Sequence, residues 1–150
     1  MSALKDQLRT DLTAAMKSRD ELRTATLRMV LAAVSAEEVA GKEARELSDD
    51  EVLGVLRREA KRRREAAEAF AGAGRAEQSA RERAEGEVVA GYLPAQLEDA
   101  DLAAIVADAV TRTGASGMKD MGRVMGAVQG AVAGRAEGGR VAAEVRRQLG

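Results

Sequence analysis

Apolar residues recur along this chain at three- and four-residue spacing, and no stretch alternates apolar and polar positions for long. That is the period of helices with one face against a core, and strand signals are almost absent. Leu4, Leu8, Leu12 and Met16 mark a first helix ending near Arg19 and Asp20. Asp20 is placed to cap a second, whose stripe is Leu22, Thr26, Met29, Val30, Ala33, Val34 and Glu37, with Gly41 as its stop. The third has the clearest start. Ser48-Asp-Asp-Glu51 is a capping box, in which the serine hydroxyl and the Glu51 carboxylate each satisfy a free backbone N–H. Leu47 and Val52 occupy the staple positions, and the helix runs through Leu53, Leu56, Ala60, Ala67 and Phe70 to Gly72 or Gly74. A fourth spans about 76–90 and is weakly apolar until Val88, Val89, Tyr92 and Leu93.

Pro94 is the sole proline, and a residue before proline is pushed out of the helical region. The segment Tyr92-Leu-Pro-Ala-Gln-Leu97 is therefore the expected boundary between an N-terminal helical domain, 1–93, and a C-terminal three-helix domain, 94–150. Beyond it Leu102, Ile105, Val106, Ala109 and Val110 form a clean stripe, and Gly114 is placed to close that helix. Ser116 is the expected N-cap of a sixth helix reaching about Val128. Gly130 and Gly134 break the pattern, and Val141, Val145 and Leu149 mark a last helix. The expected fold is all-α, with about four helices followed by three.

Composition narrows the function classes. The chain has 150 residues, enough for one compact domain or two small helical ones. The absence of Cys and His excludes disulfides, the commonest zinc ligands, and Cys- or His-based catalysis. The opening Met-Ser-Ala-Leu-Lys-Asp-Gln is amphipathic and charged, unlike a secretory signal. No apolar run approaches the ~18–20 residues of a membrane span, so a cytoplasmic location is expected. Abundant Ala and an excess of Arg over Lys point to a GC-rich bacterial genome. The net charge of -1 gives no global field toward nucleic acid, and no DNA partner is expected. One Phe and one Tyr rule out a stacking platform for single-stranded bases. The charge is nevertheless uneven: beyond residue 111 the cations at 112, 119, 123, 135, 140, 146 and 147 outnumber the acids at 120, 137 and 144.

Several segments carry candidate chemistry. Arg57-Arg-Glu-Ala-Lys-Arg-Arg-Arg64 would attract a phosphate backbone, but a solvated helix face explains it more simply. Lys61 faces Glu65 and Arg64 faces Glu68 at four-residue spacing, and Arg63 lies along the apolar stripe, where its stem can snorkel. Asp49, Asp50 and Glu51 suit a helix N-terminus better than a metal, and no metal or cofactor is expected. Gly134-Arg-Ala-Glu-Gly-Gly-Arg140 lacks the Gly-Lys-Ser/Thr ending of a phosphate-cradling loop and reads as a turn, although one phosphate would fit between its arginines and the next helix start. The segment from Thr113 to Val128 is the most informative. Met118, Met121 and Met125 recur at helical spacing, and Gly122 and Gly126 lie one turn apart. Together they form a candidate docking face, with glycines admitting another backbone and thioethers filling irregular gaps. Lys119 and Arg123, sharing one helical face, with Arg135, Arg140 and Arg146, are candidate contacts to a nucleic-acid backbone.

Four stretches together resemble the GatB/YqeY family of small helical bacterial proteins, over essentially the whole chain. They are Leu22-Arg-Thr-Ala-Thr-Leu-Arg-Met-Val-Leu-Ala-Ala-Val34; Arg63-Arg-Glu-Ala-Ala-Glu-Ala-Phe70 with Ala73-Gly-Arg75; Tyr92-Leu-Pro-Ala-Gln-Leu97; and Thr113 to Gly126 with Gly134-Arg-Ala136. The C-terminal third is also similar to the tail domain of the B subunit of aspartyl/glutamyl-tRNA amidotransferase, through Val124-Met125, Gly134-Arg-Ala136 and Val141. In that enzyme the tail helps hold tRNA, so the resemblance implies a stand-alone tail-like module with an added helical domain. This chain departs from the family at Glu98 and Glu137, where shorter capping residues are usual, and both departures imply weaker caps. The family label carries glutamine-dependent carbon–nitrogen ligase activity. The chain has only isolated serines, at 2, 18, 35, 48, 79 and 116, in place of the Ser–Ser–Lys set of a glutaminase, and no catalytic residue is assigned. The expected function is a non-catalytic helical module that binds tRNA or docks to a tRNA-modifying enzyme. The alternatives are an accessory component of the amidotransferase and a structural protein-interaction module.

Overall fold

The computed structural model describes residues 2–150, which form seven α-helices and one short 3-10 turn with no strand. The fold is all-α. The chain divides into two compact units between Leu93 and Pro94.

The first unit contains α1 (Ala3–Lys17), α2 (Glu21–Glu38), α3 (Asp49–Gly72) and α4 (Ala76–Ala90). Its core joins Leu8 of α1, Leu27, Val30 and Val34 of α2, Leu47, Val52, Val55 and Leu56 around the start of α3, and Val89 of α4. Local chemistry sets the helix starts. Ser2 accepts the Lys5 N–H, Asp20 accepts the Arg23 N–H, and Ser48 and Glu51 form the reciprocal box. Leu47 and Val52 are both fully buried, as a hydrophobic staple requires. Two stripe positions turn outward. Met16 is 49% exposed because Ala15 takes the inward place, and Met29 is 37% exposed at the edge between α2 and α3.

The α3–α4 hairpin packs through small and charged groups rather than large apolar ones. Gly74, at φ +73, makes the turn. The Ser79 hydroxyl donates to the Ala67 carbonyl at 2.8 Å, and a Cβ on Gly86 would lie 3.5 Å from the Arg63 Cβ. The Arg63 head does not snorkel to solvent. Its side chain is 16% exposed and its guanidinium faces Glu59 at 3.1 Å, Glu85 at 3.4 Å and Glu82 at 3.8 Å. The reason is tertiary: α4 brings two carboxylates over the position where the stem would have led to water. Arg62 and Arg81 reach Glu59 and Glu85 from the solvent side, at 3.4 and 3.1 Å. The charge of the network is thereby balanced.

The second unit contains α5 (Asp99–Thr113), the 3-10 turn Met118–Asp120, α6 (Met121–Val132) and α7 (Gly138–Leu149). Leu102, Val106, Ala109, Val124, Val128, Val132, Val141 and Val145 meet in its core. Gly114 ends α5 in the left-handed region at φ +67. Neither Glu98 nor Glu137 makes a side-chain cap bond to its helix, matching the expectation of weak caps. Ser116 does not cap α6. Its own N–H donates to the Asp120 carboxylate at 3.0 Å, which folds 118–120 into the 3-10 turn and delays α6 to Met121. Gly130 does not break the pattern either: it continues α6, which ends through Ala133 and Gly134, both at positive φ. The Leu97 N–H donates to the Arg135 carbonyl at 2.7 Å, pinning the start of this unit to the α6–α7 turn.

Candidate functional site

The core stripe of α6 is Val124, Val128 and Val132, with Met121 and Met125 packed partly against it. The expected docking face therefore splits. The Met121 and Met125 thioethers serve the core, whereas Met118, in the 3-10 turn, remains 47% exposed. Gly122, Gly126 and Gly130 follow one another at four-residue spacing on the other side of α6, all exposed. A Cβ at any of the three would meet nothing within 4 Å. Among the described residues of this unit, no segment uses the close approach that these glycines permit. The three glycines leave a strip of bare backbone on the solvent side of α6, flanked by the exposed Arg123 and Gln129, a feature legible in the spacing once Gly130 is kept in the helix.

The five candidate cations do not gather on one patch. Lys119 belongs to the 3-10 turn and not to the α6 face that carries Arg123. Arg123 pairs with Asp120 at 2.9 Å and remains more than half exposed. The Ser116 N–H, and then Arg123, hold the Asp120 carboxyl below its usual range. Arg135 lies beyond the far end of α6, about 18 Å along a twelve-residue helix. It turns back on that helix, donating to the carbonyls of Val132 at 3.2 Å and Ala131 at 2.6 Å. Arg140 braces the unit by donating to the Leu97 carbonyl and to Asp99, each at 2.9 Å. Arg135 and Arg140 are therefore committed to the fold. Lys119 and Arg146 are exposed and make no salt bridge among the described residues.

In the first unit, Arg57, Arg58, Lys61, Arg62 and Arg64 are exposed on α3. Lys61 lies 3.9 Å from Glu65, and Arg58 pairs with Glu37 across the α2–α3 edge. Asp49 accepts the Ser2 hydroxyl at 2.6 Å and the Leu4 N–H at 3.1 Å, which lower its pKa. Glu51 is held at about 2, first by Arg45 and then by the Ser48 N–H. These acids work as caps and ties. Sequence reading missed one polar cluster, in which the Tyr92 hydroxyl donates to Asp11 at 2.5 Å and Arg23 donates to that hydroxyl at 3.0 Å. Tyr92 is the lone tyrosine, but nothing near Asp11 in the chain signals its partner.

A family model described as Yqey-like protein matches residues 5–149. The chain belongs to the Yqey-like protein family. The match spans both compact units. No curated protein matches the chain closely enough to count as a relative. No helix among the described residues is long and apolar enough to cross a membrane.

Proposed function

We propose that this Yqey-like protein is a non-catalytic binding module whose C-terminal unit docks on the sugar–phosphate backbone of a tRNA. The bare face of α6 carries this reading. Glycine within a helix costs roughly 0.8–1 kcal/mol relative to alanine. Gly122, Gly126 and Gly130 bring no packing among the described residues of their unit in return. A strip without side chains lets a phosphate backbone come close, and Lys119 and Arg123 stand at its head to meet the charge. The resemblance of this unit to the amidotransferase tail supports the same partner. A bacterial cytoplasm is the matching location.

Binding of a total tRNA pool, followed by fluorescence anisotropy over a salt series, tests the proposal. The wild type should bind with a salt-dependent affinity, and Lys119→Ala/Arg123→Ala should flatten the slope by about one unit for each phosphate no longer neutralised. Gly126→Leu should block the approach while α6 remains folded. A wild type without salt-dependent affinity for tRNA sinks the RNA reading.

One observation favours a second reading. Met118, at the head of the same face, is an exposed thioether, a group suited to an apolar protein contact rather than to phosphate. Under that reading the face docks on a tRNA-modifying enzyme such as the glutamine-dependent amidotransferase, and the protein is its accessory component. Met118→Asp would then abolish association with the purified amidotransferase and leave tRNA affinity unchanged.

A further inference from the structure

The first unit carries a second surface that its own fold leaves uncovered. Between α2 and α3 lies an open groove of about 480 Å³ with Ala33, Ala36 and Val55 among its floor residues and Glu37, Arg58 and Arg62 along its edges. The inner side of α2 is occupied by Leu27, Val30 and Val34. Its groove side presents Met29, Ala33 and Ala36, with Ala40 just past its end, at successive spacings of four, three and four residues, the repeat of a helix–helix seam. Alanines at such positions let a second helix approach closely. Met29, at the head of this strip, is 37% exposed and lies beside Arg63 of α3.

We propose that this groove is a self-association interface, in which α2 of each of two copies seats in the α2–α3 groove of the other. Charge selects a second copy over other occupants. The groove is lined by two guanidiniums, Arg58 and Arg62, and two carboxylates, Glu37 and Glu59, so it favours neither a polyanion nor a polycation. A two-fold contact requires a surface complementary to itself, and paired opposite charges beside a small-residue strip meet that requirement. Arg58 and Glu37 already pair within one chain and are 57% and 37% exposed. Each can exchange its partner for the opposite residue of a second copy without burying a new unpaired charge. The docking of α2 into the facing groove brings Glu37 of one copy beside Arg58 on α3 of the other.

Sedimentation equilibrium of the full chain, with circular dichroism as the folding control, tests this. The wild type should form a species of twice 15.8 kDa, and Ala36→Glu should raise the dissociation constant at least about tenfold. Glu37→Arg and Arg58→Glu, each studied alone, should be monomeric, because like charges then face each other across the two-fold. Mixed in equal amounts they should form a heterodimer, since the surviving Glu37 of one meets the surviving Arg58 of the other. An intramolecular pair alone cannot produce that rescue. A wild type that stays monomeric at millimolar concentration overturns the proposal. So does a dimer that Ala36→Glu leaves intact, or a mixture of folded charge variants that remains monomeric.

Discussion

The Tyr92 hydroxyl donates to Asp11 Oδ2 at 2.5 Å, across 81 positions of sequence. Arg23 donates to the same hydroxyl and lies over the ring at 5.9 Å, so one phenol ties the end of the α4 arm to α1 and α2. Burial, and then the Asp11 carboxylate, push the Tyr92 pKa up to about 12, so the hydroxyl keeps its proton throughout the physiological range. Tyr92→Phe removes the donor and leaves two charged groups to face each other without it. The expected loss is about 1–2 kcal/mol in urea denaturation, with faster amide exchange at 92–93. A loss too small to measure would show that the ring alone holds the arm.

Arg63 stands among Glu59, Glu82 and Glu85, two of which have side chains less than a tenth exposed. Removing the cation leaves the buried Glu59 and Glu85 with only Arg62 and Arg81 on their solvent side, so Arg63→Ala should cost up to about 3–5 kcal/mol. Replacing the group together, as Arg63→Met with Glu59→Leu and Glu85→Leu, should restore most of that loss, because desolvation of the charges disappears with them. Chemical denaturation of both variants separates the two effects. Equal instability in both would mean that the network is required for packing geometry itself.

Helix α6 yields a test that dissociates stability from binding. Gly126→Ala and Gly130→Ala should each stabilise the protein by up to about 1 kcal/mol, since a Cβ meets open space at both positions. The same variants should weaken whatever binding the bare face supports. Thermal unfolding midpoints that fall rather than rise would show that these glycines have a role within the fold.

The end of α6 stores a small strain. Ala133 lies at φ +48, a conformation that costs an L-residue roughly 1–2 kcal/mol and a glycine nothing. Ala133→Gly should therefore raise the unfolding midpoint, while Gly134→Ala, at φ +76, should lower it. A reversed order would place the strain elsewhere in the turn.

Acid should weaken both units in one window. Arg45 and Ser48 lower Glu51 to about 2, and Arg147 and Gln148 lower Glu144 to about 2. Each carboxylate favours the folded state above its ordinary value of 4.5, and that contribution is lost as pH falls from about 4.5 toward 2. Glu51→Gln and Glu144→Gln should each flatten the fall in stability over this range. A limb of unchanged steepness in both would assign acid sensitivity to other groups.

The number of helices, their starts at Asp20 and Ser48, and the inward stripes around Leu8, Val30, Val106 and Val145 were all determined by the sequence itself. These features are local: capping joins residues three apart, and a buried face repeats every three or four. Gly122 and Gly126 of α6 were legible for the same reason, whereas Gly130, expected to end the helix, continues it. Tertiary structure decided where the polar groups ended. Arg63 was drawn inward by Glu82 and Glu85 of another helix, and Arg140 was drawn to the Leu97 carbonyl 43 positions away. Arg135 was claimed by the helix it follows, and the Asp120 carboxylate accepts the N–H of Ser116, so α6 starts at Met121 instead of after Ser116. A charged side chain goes wherever a partner compensates its desolvation, and that partner is set by how helices pack, which no local period encodes.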